Sequence, residues 1–142
     1  MANTKPIGVA YSDQDISGAD TISGSSILAT SQLGYGTDAE GTVTQLTSKS
    51  TGVTLNKSAG RITMNNASLA ATTTISFTLT NSLISTNDTI VLNISGGLAT
   101  ASTYNAWVDS LAAGSAVISL RNVSAGALLE AVILNFAIIH GQ

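Results

Sequence analysis

The clearest pattern in the sequence is an alternation of apolar and polar residues across residues 72–80. Ile75, Phe77 and Leu79 fall on one face of an extended chain, and Thr and Ser side chains fall on the other. A two-residue period of this kind predicts a β-strand with one buried and one solvated face. Similar short runs predict further strands at residues 42–48, 61–64, 89–95, 103–108, 116–123 and 130–139. The run at residues 89–95 is apolar enough to predict burial on both faces.

Turn-forming segments rich in Gly, Asn, Ala and Ser separate these runs. They lie at residues 57–60, 65–67, 81–87, 95–97, 112–115 and 124–127. No segment shows a convincing helical period of 3.6 residues. We therefore predict an all-β fold over residues 41–142, an antiparallel sandwich or barrel of seven or eight strands.

Residues 1–40 show neither period and are predicted to form an extended N-terminal arm in front of that domain. Isolated aliphatic residues are scattered through a strip of Asp, Ser and Gly. Two interpretations stay open at this point: a disordered tail, and an arm that pins itself onto a partner protein. On the second interpretation the candidate partner-binding residues are the aromatic, acidic and aliphatic side chains of the arm: Tyr11, Asp13, Asp15, Ile16, Asp20, Ile22 and Tyr35.

The composition limits the classes of function. Charged residues make up 9% of the chain, against about 25% in an ordinary soluble domain, and Ser and Thr supply 38 of the 142 residues. Much of the surface is therefore neutral, which suits contact with other protein chains. The net charge of −3 argues against nucleic acid as a partner. No apolar run reaches the roughly 18 residues of a membrane span or the length of a signal peptide, so we expect synthesis in the cytoplasm and no membrane.

Residues that carry chemistry are scarce. The chain has no Cys and a single His, His140, so we predict neither catalysis nor a cofactor or metal site. Trp107 is expected to fill the core, with Tyr104 on the opposite face of the same strand, although an exposed indole would provide a platform for a sugar. Four singly spaced cations are expected to be solvated or to contact the acidic groups of a neighbouring subunit: Lys49, Lys57, Arg61 and Arg121.

A resemblance adds to this interpretation. The phrases TQLTSKSTGVTLNK, GRITMNN, FTLTNS and ISLRNVS follow one another in order between residues 41 and the C-terminus. Over these roughly 100 residues the chain resembles a β-domain of small structural proteins of tailed bacteriophages. The N-terminal arm lies outside the resemblance.

The resemblance implies a jelly-roll-like sandwich and a place in the virion. It points to a head decoration (cement) protein, a homotrimer that binds the major capsid protein and bridges capsid subunits at the outer surface of the head. Extended arms of such trimers reach across neighbouring subunits. The alternative is a tail-fibre or receptor-binding module that recognises carbohydrate, which an exposed Trp107 would favour. A pilus or surface-layer subunit shares the Ser, Thr, Ala and Gly bias, but the missing signal peptide and Cys argue against it.

Overall fold

The computed structural model describes residue 29 and residues 31–141, which form two four-stranded sheets packed face to face. The all-β sandwich predicted from the sequence is confirmed. Within these residues a short 3-10 turn at Thr37–Ala39 precedes eight strands. The strands are β1 (Glu40–Thr44), β2 (Val53–Thr54), β3 (Ala59–Thr63), β4 (Thr74–Thr80), β5 (Thr89–Gly96), β6 (Tyr104–Ala112), β7 (Ser115–Asn122) and β8 (Ile133–Ile139).

The first sheet has the order β1-β3-β8-β5 and the second the order β2-β4-β7-β6. From β3 to β6, each strand crosses to the opposite sheet, as in the jelly roll that the resemblance implies. The four pairs among β3–β8 are antiparallel. Neighbours within each sheet are therefore often far apart along the chain.

The strand directions differ from the prediction in two places. β1 runs parallel to β3, and β2 runs parallel to β4, so both sheets are mixed and not purely antiparallel. β2 was not predicted at all, because two residues carry no period. Alternation in a sequence reports which face of a strand is buried and contains no information about the direction of its neighbour.

The core lies between the two sheets. In the first sheet Ile62, Leu134 and Ile94 lie side by side on the inner face of β3, β8 and β5. In the second sheet Phe77 and Ile118 do the same on β4 and β7. The alternation over β4 predicted this arrangement correctly.

The predicted burial of β5 on both faces is wrong. β5 is an edge strand, and its residues alternate between exposed and half-buried along its whole length. Its apolar outer residue Val91 is 52% exposed. The run resembled a central strand because apolar side chains lie on both of its faces, although the other strands that the structure describes cover only one of these faces.

All eight strands belong to the compact unit Gly34–Gln142. That unit begins before the boundary predicted at Gly41. The hydroxyl of Tyr35 donates a hydrogen bond to the carbonyl oxygen of Ile138 on β8. The end of the predicted arm therefore contacts the first sheet of the sandwich.

Candidate functional site

Six of the seven candidate partner-binding residues, namely Tyr11, Asp13, Asp15, Ile16, Asp20 and Ile22, lie outside the described residues. The seventh, Tyr35, is 40% exposed. Its hydroxyl bonds to β8, so the ring is held at one place while part of it stays open to solvent. The surfaces of the sandwich itself are the remaining candidates for function.

The outer face of the second sheet has one large aromatic side chain. Trp107 lies on β6 and is 38% exposed, whereas Tyr104 on the same strand is buried. The expectation that these two aromatics point to opposite faces is correct, but the expectation that Trp107 fills the core is wrong. The core on this side is filled by smaller residues of β6, Ala106 and Val108, which point inward.

A chain of hydrogen bonds fixes the indole of Trp107. Its Nε1 donates to Oδ1 of Asp109 at 2.5 Å, and the hydroxyl of Ser119 on β7 donates to Oδ2 of the same carboxylate. Because the Ser119 proton is used in this way, Ser76 on β4 donates to Ser119, with 2.7 Å between the two oxygens. The chain of bonds crosses three strands and orients both the ring and the carboxylate.

Asp109 lies on the same outer face as Trp107, because the two residues are two positions apart on β6. A β-bulge begins at this point: the register between β6 and β7 shifts between Val108 and Ser110, so Asp109 is the extra residue on β6. Across that face, Asn105 on β6 pairs with Arg121 on β7, and both side chains are exposed.

The outer face of the first sheet has a different character. Arg61, Asn135 and Asn93 lie side by side on β3, β8 and β5, and Arg61 and Asn135 line an open depression of about 410 Å³ together with Glu40. Farther along the same face, toward the start of β5 and the end of β8, the surface becomes apolar. There Val91 and, on β8, Ile139 are 52% and 58% exposed.

The edge of the first sheet extends this apolar surface. Ile90, Leu92 and Ile94 of β5 point toward the core, yet each remains only partly buried. Fully covered core residues such as Leu134 lie on the neighbouring strand β8. An eight-residue edge strand with apolar side chains on both faces is an exposed site for contact with another chain.

His140, the single histidine of the chain, lies next to an acid. Its Nδ1 is 3.2 Å from Oδ2 of Asp88, a carboxylate whose side chain is buried. The nearby Ser85 hydroxyl donates to the same Asp88 carboxylate. A Ser-His-Asp triad needs the serine hydroxyl on the imidazole and not on the acid. This group instead ties the C-terminal end of β8 to the turn before β5, and Gly141 adds a backbone N–H to Asp88 at 3.1 Å.

The hydrogen bonds that Asp88 accepts should make the stability of the fold sensitive to acid. The backbone N–H of Ser85, with help from the other donors, lowers the pKa of Asp88 from 3.8 to about 2. A carboxyl group with a lowered pKa in the folded state stabilises the fold above its unfolded pKa, and that stabilisation is lost as the pH falls through the folded value. We expect the free energy of unfolding to fall between about pH 4 and pH 2, as measured by urea unfolding at each pH.

Asp88→Asn should flatten that part of the pH profile and lower stability at pH 7. Glu130 also has a lowered pKa, chiefly because it accepts a hydrogen bond from Tyr104. Its protonation therefore adds to the loss of unfolding free energy at low pH. Glu130→Gln is the matched variant that separates the two contributions. If Asp88→Asn has the slope of the wild-type protein below pH 4, Asp88 is not the group that titrates.

Lys49 is buried, although the sequence predicts a solvated or partner-facing cation. It is 3% exposed, and its Nζ donates to the carbonyl oxygens of Asn65 and Glu130. Burial lowers the pKa of its ammonium group, and the nearby Glu130 carboxylate opposes this shift. Lys49 therefore joins the β1–β2 segment to the loop before β8 and is not part of a solvated or partner-facing surface.

Among residue 29 and residues 31–141, no three His, Asp or Glu side chains come together as a metal site. In the same part of the chain, no helix is long and apolar enough to cross a membrane. The sequence was compared with family models, curated proteins and solved structures, and none of them matches it significantly. The functional argument therefore rests on the surfaces just described.

Proposed function

We propose that this chain is a non-enzymatic structural protein of a tailed-bacteriophage virion. In this proposal it is a decoration (cement) protein that binds the major capsid protein on the outside of the head, after synthesis in the host cytoplasm. It acts as a homotrimer and bridges capsid subunits, and neither nucleic acid, a membrane nor a cofactor takes part. The resemblance in sequence suggests this role, and the surface of β5 provides the physical argument for it.

The observation that carries the proposal is the apolar edge of the first sheet. Val91 and Ile139 are more than half exposed, and the inner residues of β5 are only half-buried. Burying such a surface against another chain contributes about 25 cal/mol for each Å² of apolar area. A protein that stabilises a shell needs no reagent, because binding to the assembled state alone shifts the equilibrium toward it.

The arm residues Tyr11, Asp13, Asp15, Ile16, Asp20 and Ile22, with Tyr35, are proposed as a second contact to the capsid. Each arm adds a weak contact, and three arms on one trimer act together through a high effective concentration. Tyr35 contacts β8 of the first sheet through its hydroxyl. The apolar edge and the arm are proposed as two separate contacts to the capsid.

The test begins with the mass of the full chain in solution, measured by light scattering on a sizing column. A trimer is expected, with three times the 14.3 kDa mass of one chain. Binding is then measured by co-sedimentation with phage heads that lack the protein. A chain that is monomeric and does not sediment with the heads would overturn the proposal.

Two charge substitutions locate the binding surface. Val91→Glu and Ile139→Glu place a charge on the exposed apolar patch without touching the core, and we expect each to weaken trimer or capsid binding by about tenfold or more. Thr78→Glu is the matched control, since Thr78 is exposed on the outer face of the second sheet. Equal loss of binding in all three variants would contradict the assignment to the first sheet.

A second candidate function is a receptor-binding module of a tail fibre that recognises carbohydrate. The exposure of Trp107 favours this candidate, because an indole buried in the core could not serve as a platform. The two candidates use different faces of the sandwich. They can therefore be tested separately on the same protein.

A further inference from the structure

We infer that the outer face of the second sheet around Trp107 is a binding site for a saccharide. The inference deepens the second candidate function and does not depend on capsid binding. Its site consists of the Trp107 ring with Asp109 on one side and the pair Asn105 and Arg121 on the other.

The first argument is the fixed orientation of the ring. An exposed Trp side chain that turns freely loses conformational entropy when a ligand orders it. Trp107 is already held by Asp109, which Ser119 and Ser76 hold in turn. Such support is what a preorganised binding site requires.

The second argument is the capacity of Asp109 to accept more hydrogen bonds. A carboxylate offers about four acceptor positions, and the indole and the Ser119 hydroxyl occupy two of them. Asp109 is exposed, so the remaining positions face solvent beside the ring. Adjacent hydroxyl groups of a sugar are suitable donors for them.

The third argument concerns the surroundings of the ring. The C–H groups of a pyranose form an apolar face that stacks on an aromatic ring, while its hydroxyls need polar partners at the rim. Asn105 and Arg121 supply an amide and a guanidinium group on the side of Trp107 away from Asp109. A few convergent polar groups around an apolar platform are characteristic of small-molecule sites.

The same surroundings argue against a protein partner at this face. Anchors in protein interfaces cluster with other apolar side chains. Beside Trp107, the outward residues of β7 are Val117, Ser119 and Arg121. On β4, the next strand, the outward residues are hydroxyl-bearing: Thr74, Ser76, Thr78 and Thr80. Apart from Trp107, the large apolar strand residues that are exposed, Val91 and Ile139, lie on the first sheet. The two outer faces therefore differ in chemistry, which indicates different ligands.

The experiment uses the full chain and its single tryptophan. All indole emission comes from Trp107, so a ligand on the ring changes the fluorescence directly. The probes are the methyl glycosides of glucose, galactose, mannose and rhamnose, N-acetylglucosamine, and oligosaccharides of the same units. We expect a saturable change in emission with at least one probe, while free N-acetyltryptophanamide shows none.

Calorimetry with variants then ties binding to the site. Asp109→Asn should weaken binding of the same probe by about tenfold or more, because a charged acceptor is lost. Trp107→Phe should bind more weakly than the wild-type protein, and Trp107→Ala should not bind. Val91→Ala, on the other outer face, should bind as the wild-type protein does. Circular dichroism confirms that each variant is folded.

Two results would overturn the inference. One is an emission that no saccharide in the panel changes while the protein is folded. The other is an emission that changes only when the chain associates with itself or with phage heads, which would make Trp107 part of a protein interface. The first result would leave the decoration proposal unchanged, because that proposal is tested by solution mass, co-sedimentation and charge substitutions on the first sheet. The second result would move the protein-contact surface of that proposal to the second sheet.

Discussion

Asn122→Ala is expected to lower the free energy of unfolding by about 2–4 kcal/mol. Asn122 is fully buried at the end of β7. Its Nδ2 donates to the carbonyl oxygens of Leu69, Ala70 and Gly126 at 2.8–3.1 Å, and its Oδ1 accepts from the backbone and hydroxyl of Ser124. Alanine removes all five of these bonds at a fully buried position, so the segments around Leu69 and Gly126 lose the side chain that ties them to the end of β7. Urea unfolding at fixed chain concentration measures the loss.

Asn122→Asp sharpens this prediction because it keeps the shape of the side chain. At pH 7 a carboxylate would face three carbonyl oxygens, so its pKa in the folded state should be raised. The destabilisation should therefore shrink as the pH falls and the group is protonated. Asn93→Ala, on the exposed face of β5, is the control and should change stability by about 0.5 kcal/mol or less. If Asn122→Ala also changed the free energy of unfolding by about 0.5 kcal/mol or less, the hydrogen bonds of Asn122 would make no net contribution to stability.

Gly97→Ala is expected to lower stability by about 2–5 kcal/mol. Gly97 follows β5 with a φ of +75°, in the left-handed region where a side chain is strained. A Cβ at this position would also lie 2.1 Å from the carbonyl oxygen of Ala131, just before β8. The backbone must therefore move just before the start of β8, which is one of the two inner strands of the first sheet. Chemical unfolding compared with the wild-type protein gives the loss.

Gly114→Ala separates the two causes of that loss. Gly114 lies in the turn between β6 and β7 with a φ of +79°, but a Cβ there would meet no atom within 4 Å. This variant should therefore show only the cost of the backbone conformation, about 1–2 kcal/mol. If the two variants are equally destabilised, the clash with Ala131 is relieved without cost.

The sequence predicted the fold because the main strands alternate with a period of two. β4 is the clearest case: its exposed Thr and Ser residues and its inward Phe77 and Leu79 fall where the pattern placed them. β2 and the parallel pairs could not be predicted, since neither a two-residue strand nor a strand direction leaves a periodic signal. β5 is an edge strand because only one strand pairs with it. An apolar run in the sequence contains no information about this pairing.

The candidate site was much harder to predict than the fold. Trp107 was placed in the core because a large aromatic is usually buried, yet its position in β6, an odd number of residues from inward Tyr104, puts it on the outer face. The bulge at Asp109 and the partners Ser119 and Ser76 depend on register between distant strands. The burial of Lys49 likewise depends on carbonyl groups at Asn65 and Glu130, far away in the sequence.

The position of β8 determines when the fold can form. It is the last of the eight strands that the structure describes, yet it lies between β3 and β5 in the first sheet. During synthesis the β3 and β5 segments therefore leave the ribosome without the strand that joins them. Non-local pairing of this kind slows folding and prolongs the exposure of apolar strands. A polypeptide that stops before Ile133 should accordingly be unable to complete the first sheet, and its unpaired strands would be prone to aggregation.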